Sequence, residues 1–256
     1  MHQTSYAEVD RLLESLVFRI RAVLHEKLVG VYLYGSLVTG DFDPGISDVD
    51  LLAVTSSDLD NSQVDALRTL HRDIAIKHPE WDDRVEVAYV SMTALRTFRS
   101  EKHQIAVISP GEPFHVKELD SGYLMNWYVV RERGVVLFGP PVNTVIGPVT
   151  REEYVQTVRD YVSWLAGNLR EVMDRKYQAY AILAACRALY LHRKGAVTSK
   201  RRAALWALEE LPEWSGLIQS ALAWRKAWRD EQVDHAATHA ESLRFVTFVR
   251  GLVLDT

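Results

Sequence analysis

Tyr34-Gly35-Ser36-Leu37-Val38-Thr39-Gly40, followed by Ser47-Asp48-Val49-Asp50-Leu51-Leu52, is the stretch on which the fold turns. An apolar segment, Val29 to Tyr34, runs into a Gly-Ser turn, and a second, Val49 to Val54, begins among two aspartates at i and i+2. Successive side chains on a strand point to opposite faces, so Asp48 and Asp50 share a face. Two like charges side by side at the start of a buried strand are costly without a compensating cation. Oxygen-only ligands of this kind suit Mg²⁺, which is usually held by one or two carboxylates together with substrate phosphates. The backbone N–H groups of the Gly35-Ser36 turn could face a phosphate. Metal and phosphate together point to transfer of a phosphoryl-type group.

Working outward, Leu12, Leu13, Leu16, Val17, Ile20, Val23 and Leu24 recur at helical spacing. Ser5 with Glu8 predicts a capping box ahead of them. Strands are expected over 29–34, 48–54 and 84–90, with a helix over 58–77 carrying Val64, Leu67, Leu70 and Ile74 on one face. In the third strand Val85, Val87 and Tyr89 share one face, and Glu86 lies on the other. A carboxylate in an apolar strand needs a reason, because burying it unpaired is expensive. If this strand lies beside the Asp48–Asp50 strand, Glu86 joins the same site; an edge strand with Glu86 in water is the alternative. From 95 to 120 the pattern reads as irregular, broken at Ser109-Pro110-Gly111. A helix and then a strand fit 122–137.

Gly139-Pro140-Pro141 and Gly147-Pro148 bracket a connector, which places a domain boundary near 150 and domains at 1–149 and 150–256. Beyond it only helices are predicted: a run to Asp174 opened by a Thr150–Glu153 capping box, then 177–193, 199–210, 213–229 and 231–252. Gly195 ends one helix, and Thr198 or Ser199 starts the next. The fold class expected is α+β, a mixed-sheet domain followed by an α-helical bundle.

Composition is that of a globular protein, 48% hydrophobic and 25% charged. A net charge of -4 argues against a dedicated nucleic-acid binder and suits a cationic small substrate. A single cysteine, Cys186, excludes an internal disulfide and a cysteine-based zinc site. Its helical setting reads as a buried structural thiol. No leader-like N-terminus and no apolar run near the roughly 20 residues needed to span a bilayer are present. A cytoplasmic protein without membrane association is therefore expected; a monomer is also expected, though these features do not derive it. His235 and His239 fall at i and i+4; without a third ligand they read as a solvated helix face. Trp164, Trp206, Trp214, Trp224 and Trp228 stand at helical spacing and read as core.

Gly35-Ser36 followed by Asp48-x-Asp50 resembles the signature of the nucleotidyltransferase superfamily, whose catalytic domain has a polymerase-β-like mixed sheet. Arg131-Glu132-Arg133-Gly134-Val135-Val136-Leu137-Phe138-Gly139-Pro140 is similar to the segment that closes the catalytic domain in aminoglycoside adenylyltransferases of the 3''(9) type. Val197 to Glu209 is similar to the lysine-bearing helix start of their helical domain. The resemblance implies AMP transfer from MgATP to a hydroxyl of streptomycin or spectinomycin, with pyrophosphate released. By that resemblance Gly35, Ser36 and Ser47 meet the nucleotide, and Asp48, Asp50 and Glu86 hold magnesium. Glu86 is also the base, and Lys200 and Arg187 reach the nucleotide from the helical domain. Lys200 at a helix start is an odd place for a cation, since the dipole there favours anions. An acid expected just before the Arg187 helix is replaced by Lys176-Tyr177-Gln178. Glu171, Asp174 and Tyr177 are therefore the acceptor-binding candidates, and Trp127 is the nearest stand-in for the drug-stacking tryptophan. Transfer to another small-molecule or protein acceptor, and a non-catalytic ATP sensor of the same fold, are the alternatives.

Overall fold

The computed structural model describes residues 4–170, 173–226 and 234–255. It consists of two compact units, Met1–Val149 and Thr150–Thr256.

In the first unit the strands are β1 (Leu28–Tyr34), β2 (Val49–Thr55), β3 (Val85–Ser91), β4 (Gln104–Ser109), β5 (Glu112–Glu118) and β6 (Val135–Phe138). They form one sheet in the order β5-β4-β3-β2-β1-β6. The β2–β3 pair is parallel and the other pairs are antiparallel. Alternation divides the side chains between two cores. Val31, Leu33, Leu51, Ala53, Val85, Val87 and Tyr89 join a core with α1 (Ala7–Leu24) and, after the four-residue α2 (Ser36–Thr39), with α3 (Asn61–Lys77). Tyr32, Tyr34, Leu52, Val54, Ala88 and Val90 join a core with α4 (Met92–Thr97), α5 (Tyr123–Arg133) and α6 (Val142–Val145). Asp50 and Glu86 are in phase with this second set, so the carboxylates open on the side of the sheet that carries α5.

Two expectations for this unit fail. α1 has Tyr6 at its N-cap with no side-chain cap, so the Ser5–Glu8 capping box is absent. Thr4 instead bonds the buried Asp10 carboxylate through both its N–H, at 2.9 Å, and its hydroxyl, at 3.0 Å. The stretch 95–120 holds α4 and the β4–β5 hairpin, with Ser109-Pro110-Gly111 at its turn, where Gly111 takes φ +81°. The hairpin escaped the periodicity reading because β5 contains Pro113 and is polar on most of its length, as an edge strand can be.

His71 of α3 is buried, its Nε2 2.8 Å from the Tyr89 hydroxyl and its ring stacked on Phe114. Burial pushes its pKa down to about 4. The unfolded chain therefore binds more protons than the folded one between the ordinary histidine range and that value. Stability present above about pH 6.5 is lost as pH falls toward about 4, by up to about 3 kcal/mol. Denaturant unfolding at about pH 7 and about pH 4.5 checks this. His71→Gln, which removes the titrating ring, should flatten the pH dependence; an unchanged slope would assign the acid sensitivity to other groups.

The second unit is helical: α7 (Arg151–Asn168), α8 (Arg175–Lys194), α9 (Lys200–Glu210), α10 (Ser215–Lys226) and α11 (His239–Leu254). The Thr150–Glu153 capping box, the Ser199 cap of α9 and the left-handed Gly195 after α8 form as the sequence predicts. α7 ends at Asn168, short of the expected Asp174, because Asp174 begins the next helix as its N-cap. The start expected at 231 lies outside the described residues; α11 begins at His239.

His235 and His239 do not share a helix face. His235 precedes a 3-10 turn, and its Nδ1 accepts the Arg175 N–H, while His239 pairs through Nε2 with the Leu169 carbonyl. Both histidines tie down helix ends, His235 the start of α8 and His239 the end of α7. Gln178, fully buried, donates to the Met173 and His235 carbonyls and accepts from Thr238 and Ser242 hydroxyls, which joins α8 to the start of α11. Cys186 is buried and inert, with burial pushing its thiol up to about 12. Trp164 departs from the core reading: it is half exposed and stacks on Tyr161; Trp228 lies outside the described residues. No described helix is long and apolar enough to cross a membrane.

Candidate active site

The site in the first unit is a row across three central strands. Tyr34 pairs with Asp50 across β1 and β2, and Asp50 pairs with Glu86 across β2 and β3. Cross-strand partners carry their side chains on one face. Asp48, one residue ahead of β2, completes a trio in which one carboxylate oxygen from each residue lies within 4.8 Å of the others. It is the one such cluster among the described residues. All three are partly buried, so their mutual repulsion is only partly screened by water.

The Gly35 turn fits against this trio. Gly35 sits at φ +72°, and a Cβ there would run into Asp50 Oδ2. Only glycine combines that backbone conformation with that contact. Ser36 opens α2, and its Oγ is buried without a hydrogen-bond partner. A buried hydroxyl left in that state is costly and marks a place where a ligand oxygen belongs.

The loop that delivers Asp48 is tied down from behind. Arg84 is buried and donates through Nε (3.1 Å) and Nη2 (2.6 Å) to the Ser47 carbonyl. It also donates through Nη1 to the Glu80 carbonyl and stacks over Trp81. Ser47 accepts the Asp43 N–H at 2.9 Å, so its hydroxyl has a local task in shaping this loop.

Sequence reasoning missed Tyr34 and Asn126. Tyr34 is buried and donates its hydroxyl to Glu86 Oε1 at 2.9 Å. Asn126 Nδ2, from α5, donates to the same hydroxyl at 3.4 Å. Burial, with the charges of Glu86 and Asp50, holds the Tyr34 phenol well above its ordinary value, so it stays a donor. Burial and the Glu86 charge also raise Tyr123 nearby. No local motif announces such a contact, because its partners meet only once strand order is known.

The fit of a divalent cation rests on the donor set: three carboxylates drawn together, oxygen only, beside an orphaned serine hydroxyl. Asp48, Asp50 and Glu86 suit Mg²⁺ in this respect.

In the second unit, Lys200 is the first residue of α9, and its Nζ lies 4.2 Å from the Tyr180 ring centroid. Tyr180 shares a 2.6 Å hydrogen bond with the Tyr161 hydroxyl. Arg187, partly buried on α8, is close enough for its charge to bear on Tyr161, whose phenol burial pushes up strongly. Tyr177 packs its ring 6.0 Å from Tyr180. Asp174 spends one oxygen on the Tyr177 N–H at 2.7 Å as the cap of α8. Glu171 lies outside the described residues. Trp127 belongs to the first unit's core, 1% exposed and edge-on to Phe98, which removes it as a stacking platform.

Two family models match the chain: the nucleotidyltransferase domain over residues 12–118, and the C-terminal domain of aminoglycoside adenylyltransferase over residues 144–250. The aminoglycoside (3'') (9) adenylyltransferase of Escherichia coli is 27% identical over 273 aligned positions, covering 98% of this chain and 97% of that protein. Its counterpart in Klebsiella pneumoniae is 26% identical over the same coverage. Among solved structures, the spectinomycin adenyltransferase AAD(9) of Enterococcus faecialis, crystallised with ATP and spectinomycin, superimposes with a TM-score of 0.76. That match covers 95% of this chain and 98% of the other at 16% identity, a likeness of fold.

Proposed function

We propose a function from one premise: this chain belongs to the nucleotidyltransferase superfamily and joins that catalytic domain to the C-terminal domain of the aminoglycoside adenylyltransferases. It is an adenylyltransferase that moves AMP from ATP to a hydroxyl of an aminoglycoside-type antibiotic, with streptomycin and spectinomycin as the first acceptors to test. The observation that carries this reading is the convergence of Asp48, Asp50 and Glu86 behind the Gly35-Ser36 turn.

In the proposed reaction the acceptor oxygen attacks the α-phosphorus of ATP, and the bond to the pyrophosphate oxygen breaks. Glu86 accepts the proton that the acceptor hydroxyl loses. Mg²⁺ held by Asp48, Asp50 and Glu86 would neutralise charge on the α-phosphate and on the leaving pyrophosphate. The Gly35-Ser36 turn offers N–H groups and the Ser36 hydroxyl to phosphate oxygens. Lys200 and Arg187 are assigned to the nucleotide phosphates. A lysine at the first position of a helix is otherwise poorly placed against the dipole.

Pyrophosphate release tests this directly. Release that needs ATP, Mg²⁺ and either drug supports the reading. Release that neither drug stimulates, together with no rise in resistance when soluble protein is expressed in a sensitive host, would move the acceptor elsewhere. One observation favours such a second acceptor: Asp174 is occupied as a helix cap, and Gln178 is consumed in the core, where an acid contacting drug amines is expected.

Lys200→Ala is expected to weaken ATP binding by about 10-fold or more, the usual scale for losing a hydrogen bond to a charged group. Titration calorimetry reads this. Equal affinity in the two proteins would leave Lys200 as a surface cation resting on Tyr180.

A further inference from the structure

Tyr34 and Glu86 stand in one cross-sheet row, separated by the strand that carries Asp50. Two strand spacings put their backbones about 10 Å apart. The tyrosine closes this distance: its ring is 5% exposed, and its hydroxyl reaches Glu86 Oε1 at 2.9 Å. Asn126 on α5 donates to the same hydroxyl at 3.4 Å. Tyr32, two residues earlier on the same face, sends its hydroxyl elsewhere, to the Pro140 carbonyl at 3.0 Å. The Tyr34 contact is therefore particular to that position and does not follow from placing a tyrosine on this face.

The terminal torsion of a glutamate is broad and loosely held. A general base works only when its lone pair is aimed at the proton it takes. One short bond from a rigid, buried phenol removes that freedom, and the Asn126 amide holds the phenol in turn. We propose that Tyr34, steadied by Asn126, is a positioning residue that fixes the Glu86 carboxylate within the Asp48–Asp50–Glu86 trio. This inference rests on Glu86 belonging to the active site as proposed above.

Tyr34→Phe keeps the ring and removes the donor. It should lower kcat by roughly 10- to 100-fold, the scale seen when a partner of a metal-site carboxylate is lost. The KM for ATP and for acceptor should stay within about 2-fold, because the phenol is assigned to hold Glu86 and not to bind either molecule. Mn²⁺ affinity of the nucleotide-free protein, measured by calorimetry, should also weaken, since Glu86 is no longer held in the trio. Asn126→Leu should move both readings the same way by less, and it carries the test if Tyr34→Phe does not fold.

The decisive comparison is Tyr34→Phe placed in a Glu86→Ala background, where nothing is left for the phenol to hold and it should change nothing further. An unchanged kcat and Mn²⁺ affinity in Tyr34→Phe, or the same loss with and without Glu86, would overturn the proposal. Full activity in Glu86→Gln beside weakened Mn²⁺ binding in Tyr34→Phe would remove Glu86 as the base and leave the positioning role standing.

Discussion

Asp50→Asn and Asp48→Asn, made separately, should each lower AMP transfer by at least about 100-fold, the scale at which a single preorganised electrostatic group contributes, while the fold survives intact. Three carboxylates share a space within 4.8 Å at the start of two parallel strands. Repulsion there is tolerated in the folded chain because a cation is expected to answer it. Asparagine keeps the shape of aspartate, including the Asp50 edge that abuts Gly35, and removes one negative charge. Melting temperature in EDTA should therefore hold or rise. Relief of about 1 kcal/mol corresponds to roughly 2–4 °C in a protein of this size. With saturating Mg²⁺ and ATP the order should invert, because the variants lose the stabilisation that a bound cation gives the wild type. Strong destabilisation of both variants in EDTA, or turnover near wild type with Mg²⁺, would remove the cation-site reading.

Glu86→Gln should retain ATP binding and lose transfer by roughly 100-fold or more, the contribution of a positioned general base. Glutamine is nearly isosteric, and its carbonyl oxygen can still accept the Tyr34 hydrogen bond. The change is thus confined to charge and basicity. Because Glu86 is also assigned to the metal, the assay has to separate the two roles. Raising Mg²⁺ restores a rate lost through weak metal binding but not one lost through a missing base. Full rescue at high Mg²⁺, measured in a single turnover, would reduce Glu86 to a ligand.

Much of this site was legible in the sequence because its elements obey strict periods. Strand alternation put Val85, Val87 and Tyr89 on one face and Glu86 on the other, and two separate cores reproduce that division. Gly35 announced a turn, Thr150 with Glu153 a helix start, and Gly195 a helix end. What stayed hidden depends on partners far apart in the chain. The Tyr34–Glu86 bond joins residues 52 positions apart and exists only because β2 lies between β1 and β3. The β4–β5 hairpin was lost to proline and surface charge on an edge strand. His235 and His239 have ligand-like spacing, but a 3-10 turn between them breaks the helix that spacing assumes. Asp174 reads from sequence as the end of one helix and an acceptor contact, and only the structure shows it capping the next, with its oxygen on the Tyr177 N–H.

The contact between Gly35 and Asp50 also bears on how this protein can evolve. Any other L-residue at 35 meets two independent obstacles, the Asp50 carboxylate and a φ of +72°. Relieving the first by trimming Asp50 dismantles the carboxylate trio, and nothing at position 50 relieves the second. The codon is thus locked from both sides, and mutational routes through it end in an inactive protein. A compound that pressed against this turn would touch a position at which any substitution meets both obstacles. Wherever selection is strong, adaptation must come instead from surfaces farther from the sheet, where side chains can change without touching the chemistry.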